Sequence, residues 1–341
     1  SGSGATKTIT VTGGGVTSDA QENTVAGTNA GDSFSGTDAV KNTLFGYDAG
    51  TAITSGDNNT FFGHSAGETL TTASGNTLIG YEAGKVMTTA EKTVAVGYGA
   101  LDSQQTGYGN VAVGYAALNG STAGQRNIAI GYYAMAYGNL TSSSLGNIAI
   151  GEGALVSARS GCQYNICIGY EAGYNAKTNN NNILIGSSVA RYASGTDFNG
   201  ASNVVVGNSA FYSATNAEYN VAIGQSAMNS ISSGDYNVVV GGSAGRDITT
   251  GNKNVLVGYE AGNTGTNDLT TGANNIIIGY EAAASAATVD NEVTIGDANI
   301  TKFRVPGLNF ELTPGIITLK NNGARSEVRW YCESNNAHYV S

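Results

Sequence analysis

One five-residue phrase limits what this chain can fold into. Asn127-Ile128-Ala129-Ile130-Gly131 returns as Asn110-Val111-Ala112-Val113-Gly114, Asn147-Ile148-Ala149-Ile150-Gly151, Asn220-Val221-Ala222-Ile223-Gly224 and Asn254-Val255-Leu256-Val257-Gly258. Weaker copies run back to Asn23-Thr24-Val25-Ala26-Gly27 and forward to Glu292-Val293-Thr294-Ile295-Gly296. The closing glycine occurs sixteen times, and ten of the fifteen intervals between copies are 17 residues. A short fixed period of this kind is the signature of a stacked repeat.

Within the phrase, β-branched residues hold the first and third apolar positions and a small or apolar residue lies between. Side chains alternate across a strand, so both faces of these strands are apolar, as in strands buried on two sides. Five residues rich in Val and Ile and closed by glycine are too short for a helix. The glycine marks a corner. Alanine stands three residues later in fourteen of the sixteen copies, so that slot is tight. We read one unit as a long strand, a corner, a tight short strand and a polar return, which is one coil of an all-β parallel β-solenoid (β-roll or β-helix). Sixteen coils at the inter-strand spacing make a rod of roughly 75 Å.

Asparagine opens fourteen of the sixteen phrases, with Thr93 and Glu292 in the others. Parallel stacking would align these amides in a column able to hydrogen-bond along itself. The apolar outer face predicts an oligomer, because an exposed apolar strip as long as the rod normally marks an interface.

Residues 1–22 are Gly/Ser/Thr-rich and read as a leading segment or linker, with one β-like run at Thr8-Ile9-Thr10-Val11. Residues 23–300 are the repeat. Residues 301–341 leave the register and contain both prolines and the one tryptophan. Short strands are expected at 303–307, 316–320 and 328–332, forming a C-terminal β cap that is itself read as truncated.

The bulk composition excludes several functions. A net charge of −10 without a Lys/Arg cluster argues against nucleic acid. No apolar run is long enough to span a membrane. Three cysteines form no disulfide framework, and Cys167 occupies a small core slot. His64 and His338 are too few for a metal cluster, and no catalytic or cofactor-binding motif occurs, so neither a metal nor a cofactor is expected. Glu82, Glu171, Glu260 and Glu281 each follow a tyrosine and recur at one solenoid position, as a surface pattern does, so enzymatic activity is not expected.

Tyrosine follows the closing glycine at 47, 81, 98, 115, 132, 170, 259 and 280. Tyr81, Tyr98, Tyr115 and Tyr132 belong to consecutive coils and should form a column. Two readings stand: ring-on-ring stacking that stiffens the rod, or a platform for sugar rings. The longer intervals put extra residues at about 135–146, 155–164, 190–202 and 262–274. Insertions in repeat proteins become loops on one face, which makes Tyr137, Arg191, Tyr192 and Phe198 candidate contact residues, although drift in loop length explains them equally well.

The Asn-Val-Ala-Ile-Gly-x-x-Ala phrase over about 23–300 resembles the head repeats of trimeric autotransporter adhesins and related repeats of phage tail fibres. That resemblance implies a left-handed β-roll with three chains about an axis. The ending, Phe303-Arg304-Val305-Pro306-Gly307-Leu308-Asn309-Phe310 and then Arg329-Trp330-Tyr331-Cys332, is similar to structural and tail-fibre proteins of phages, notably cyanophages. The resemblance thus implies a homotrimeric tail-fibre segment, in the virion tail and outside the cell, acting as a shaft with host-surface attachment. Its expected partners are its own copies, a host polysaccharide or protein receptor, and other virion tail proteins. The alternatives are a purely structural spacer, a bacterial adhesin head and, less favoured, a polysaccharide depolymerase.

Overall fold

The computed structural model describes residues 16–35, 38–191, 197–305, 310–313 and 316–319. The chain divides into two compact units, 1–295 and 296–341. Among the described residues there is no helix long and apolar enough to cross a membrane.

The first unit is a β-solenoid. Its strands run from β1 (Thr17–Ser18) and β2 (Thr24–Ala26) to β17 (Val293–Ile295), one three-residue strand per coil after β1. β1 pairs antiparallel with β2, and every later pairing is parallel and in register. β8 (Ile128–Ile130) is typical: Ala129 lies between Ala112 of the preceding coil and Ala149 of the next. Equivalent residues therefore stack on equivalent residues, and the coils of 18 to 21 residues keep the same strand register.

The central residue of each phrase points into the core. Leu44, Phe61, Ala95, Cys167, Val205 and Ile277 are all fully buried, together with the tight alanines at 49, 66, 83, 117 and 261. Burial pushes the Cys167 thiol well above its ordinary range. Core volume is shared between two slots of a coil. Where the residue after the tight alanine is glycine, as at Gly50, Gly67 and Gly84, a large side chain follows three residues on, at Ile53, Leu70 and Met87. At Leu118 and Phe211 that residue is itself large and the later slot holds Ser121 or Ala214, although the pair Met228 and Ile231 is large at both slots and Gly173 with Ala176 small at both. Exchanging volume between slots keeps the interior filled.

One expectation needs correction. The tight short strand is not a strand but a pair of turns. In the coil after Gly131, Tyr133 and Met135 both take left-handed backbone, at φ 54° and 51°, and Ala134 N–H closes a turn onto the Gly131 carbonyl at 3.3 Å. The alternation sends successive amides up and down the stack, Tyr133 N–H to Tyr115 O at 3.0 Å and Met135 N–H to Ala154 O at 3.0 Å. Backbone polarity is thus satisfied by neighbouring coils without an extended segment. In the single chain only the inner face of each strand is buried, as one enclosed solenoid face requires. The first and third residues, such as Ile128 and Ile130, remain half-buried or exposed.

The closing glycine is required by contact as well as by φ. At Gly207, φ is +147° and a Cβ would lie 2.1 Å from the Gly224 carbonyl oxygen of the next coil. No side chain fits where two backbones approach so closely.

The asparagine column forms a buried ladder. Each Oδ1 accepts from the backbone and side-chain amides of the next asparagine, as Asn203 does from Asn220 N at 3.0 Å and Nδ2 at 3.1 Å. Each Nδ2 also holds a carbonyl of the polar return, for Asn220 that of Gly234 at 2.9 Å. Thr93 interrupts the ladder; its backbone N–H still reaches Asn76 Oδ1 at 3.0 Å. At the other end, Asn23 Nδ2 donates to Asp19 Oδ2 at 2.8 Å.

The second unit holds a three-stranded antiparallel sheet, β18 (Phe303–Val305), β19 (Phe310–Thr313) and β20 (Ile316–Leu319). The first and third match expected strands, and β19 was not anticipated. The expected strands at 8–11 and 328–332 lie outside the described residues.

Candidate functional site

The corner after the closing glycine aligns one side chain per coil, and where that side chain is aromatic the rings stack. Tyr47, His64, Tyr81, Tyr98, Tyr115 and Tyr132 form one continuous column with centroids 5.0 to 5.3 Å apart and interplanar angles of 9° to 22°. Their spacing is that of the coils, so the column is a direct product of register. Shorter stacks join Tyr219 to Tyr236 and Tyr259 to Tyr280.

This geometry revises the sugar-platform reading. A sugar ring packs on an aromatic face, but each interior ring of the column has both faces covered by neighbours. Tyr81, Tyr98 and Tyr115 are 42%, 50% and 42% exposed, and that exposure belongs to edges and hydroxyls. Faces become available only where the column ends. Beyond Tyr132 the next coil has Glu152 after its closing glycine, so the stack stops there.

At that end the chain builds an aromatic corner. Tyr133 packs edge-on against Tyr132 at 4.3 Å and against Tyr115 at 5.3 Å, and Tyr137 tilts onto Tyr133 at 5.1 Å. Tyr133 thus touches three neighbouring tyrosine rings. The Tyr133 phenol is held below the usual range first by Tyr137 and then by Tyr115, while Tyr137 is pushed up to about 12 by its proximity to Tyr133. The Tyr133–Tyr137 pair divides two clefts. One, about 240 Å³, has Tyr98, Asp102, Tyr115 and Asn119 in its lining. The other, about 190 Å³, is bounded by Tyr132, Glu152, Glu171 and Tyr174.

The insertions are less loop-like than expected. Each contributes a fully buried side chain, Leu140, Cys162, Phe198 and Leu269 in turn. Phe198 is therefore a core residue and not a contact residue: its coil bridges to Ala176 and its ring fills the interior. Arg191 forms an ion pair with Glu171 and lies over the Tyr174 ring, 5.9 Å from its centroid, at the edge of the smaller cleft. Tyr137 is 66% exposed and belongs to both clefts. Tyr192 lies outside the described residues. Tyr137 is thus brought together with Tyr98 and Tyr115 at the larger cleft and with Tyr132 at the smaller, where Arg191 contacts the lining residues Glu171 and Tyr174, whereas Tyr81 lies back along the column.

Tyr133, Asp102 and Glu152 escaped sequence reasoning. The doubled tyrosine at 132–133, unique among the sixteen corners, was the available signal. The repeated glutamates are engaged locally. Glu82 pairs with Lys85 at 2.7 Å, and Glu260 and Glu281 push up the phenols of the tyrosines that precede them. Among the described residues no group of three or more His, Cys, Asp or Glu side chains could hold a metal ion.

No protein-family model matches this chain, and no curated protein matches it significantly.

Proposed function

We propose that this chain is the shaft of a homotrimeric fibre of the phage-tail type, a rigid element that also carries host-surface attachment. The observation that carries the reading is the outward strip of Val and Ile on the strands. It runs unbroken from Val111 and Val113 to Ile276 and Ile278, with residues such as Ile130, Ile223 and Val257 exposed in the single chain. A strip this long is disfavoured in water, and two further copies of the same straight surface would cover it. Register-locked backbone pairing and the buried amide ladder supply stiffness. The resemblance of the ending to phage structural and tail-fibre proteins supports a virion tail outside the cell as the setting.

Light scattering on the purified chain tests this directly. The expected mass is three times the 34.5 kDa of one chain. Ile223→Lys with Val257→Lys, on the strip, should reduce it to one chain; a wild-type monomer would overturn the reading.

The covered ring faces of the tyrosine column favour a second reading, in which the segment is only a spacer. Adsorption of the isolated trimer to host cells separates the two, since a spacer leaves the cells unlabelled.

A further inference from the structure

The two clefts beside Tyr133 and Tyr137 combine features absent elsewhere on the column. Their walls are aromatic, and the smaller one is closed by the end ring Tyr132, whose outer face meets no ring of the next coil. Each cleft also holds a carboxylate without an ion-pair partner among the described residues. Glu171 is neutralised by Arg191 and Glu82 by Lys85, but Glu152 and Asp102 are not. Asp102 Oδ1 is buried and has no hydrogen-bond partner; burial pushes its carboxyl up, the nearby Glu82 adds to the effect, and Lys85, already paired with Glu82, opposes it only in part. An aromatic wall beside an uncompensated carboxylate attracts a compact organic cation, through the ring quadrupole on one side and charge on the other. A volume of about 190 Å³ is below the usual range for a whole ligand. It therefore suits one ring or headgroup of a longer chain whose remainder lies outside.

We propose that the paired clefts bind a glycan carrying protonated primary amines, an amino-sugar polymer, with an ammonium group on the Tyr133–Tyr137 partition and Asp102 and Glu152 as its counter-ions. This deepens the attachment reading and rests on it. A neutral or N-acetylated glycan would leave both carboxylates uncompensated. An acidic glycan would be repelled by them and by the net charge of −10.

The test is calorimetric titration of the intact chain with a glucosamine hexamer and with its fully N-acetylated counterpart, near neutral pH, where the amines are still partly protonated and the carboxylates are ionised. The amine form should bind at least about tenfold more tightly, a step of about 1.4 kcal/mol, and added salt should narrow the difference. Asp102→Asn with Glu152→Gln should abolish the preference. Tyr137→Ala should weaken binding about twofold to fivefold, in the range of an exposed cation–ring contact, whereas Tyr137→Phe, which keeps the ring, should bind nearly as wild type. Circular dichroism before titration confirms that each variant is folded. Equal affinity for the two hexamers, a preference that survives the double substitution, or no binding of either would overturn the proposal. Cell adsorption measured in parallel separates the two levels: retained adsorption with no amine preference removes this inference alone, and loss of both removes the attachment reading as well.

Discussion

Replacing Asn220 by aspartate puts a number on the buried ladder. The Asn220 side chain donates to Asn203 Oδ1, Gly234 O and Glu218 O at 3.1, 2.9 and 2.9 Å. It accepts from Asn237 N and Nδ2 at 2.9 and 3.0 Å. Aspartate keeps the accepting side but turns the donating side into an oxygen facing three oxygens. At neutral pH the cost is an orphaned Gly234 carbonyl, about 1–3 kcal/mol, plus an uncompensated buried charge, about 3–5 kcal/mol. The folded chain must therefore hold this carboxyl above its unfolded value of about 3.9. The sign follows: the folded state binds the extra proton, so stability falls as pH rises from the unfolded value through the folded one, and the deficit shrinks in acid. Asn220→Ala is the control. It orphans the Asn237 N–H and the Gly234 carbonyl, about 2–6 kcal/mol in all, with no pH dependence of its own. Guanidinium unfolding of the three proteins at neutral and mildly acidic pH measures the difference. Hydrogen exchange over residues 203–240 checks that the loss is local, as a stack of nearest-neighbour units requires. An aspartate deficit that does not change with pH, or none at neutral pH, would refute the account.

Three other outcomes are expected. Gly207→Ala should prevent correct stacking at that coil, because its Cβ would meet the Gly224 carbonyl at 2.1 Å; limited proteolysis should then cut near residues 207–224, and a native-like digest would count against the contact argument. Thr93→Asn should fill the ladder's interruption and raise the local opening free energy by about 0.5–1.5 kcal/mol, read by exchange protection of residues 76–110. Asp102→Asn should stabilise the chain at neutral pH. The raised folded carboxyl makes the wild-type cost present above its folded value and lost as pH falls, so the two melting curves should converge in acid.

The period, the glycine corner, the tight alanine and the asparagine column were legible because each is one residue type fixed at one phase. The left-handed pair was not, since Tyr133, Met135 and Glu82 adopt positive φ without being glycine and nothing in their chemistry announces it. The column of tyrosines could be read, but not the consequence of its regularity, that rings stacked at coil spacing cover one another's faces. Phe198 misled for a related reason: extra residues were taken as surface, whereas the longer coils fold an apolar side chain inward to keep the core filled. The candidate clefts depend on Tyr133, Asp102 and Glu152, which come from three different coils and share no sequence pattern.

The asparagine ladder also gives the rod an electrical direction. On either side of the break at Thr93, the amides donate toward the earlier coil and accept from the later one, so the side-chain dipoles add instead of cancelling. Their donor end lies at Asn23, where Asp19 accepts from both the side chain and the backbone N–H. Those bonds hold the Asp19 carboxyl below its ordinary range against the opposing effect of burial. Asp19 thus stands to this stack of amides as an acidic N-cap stands to a helix. A rod polarised in this way has unlike ends, and copies lying side by side would sum their dipoles or oppose them according to whether they run parallel or antiparallel.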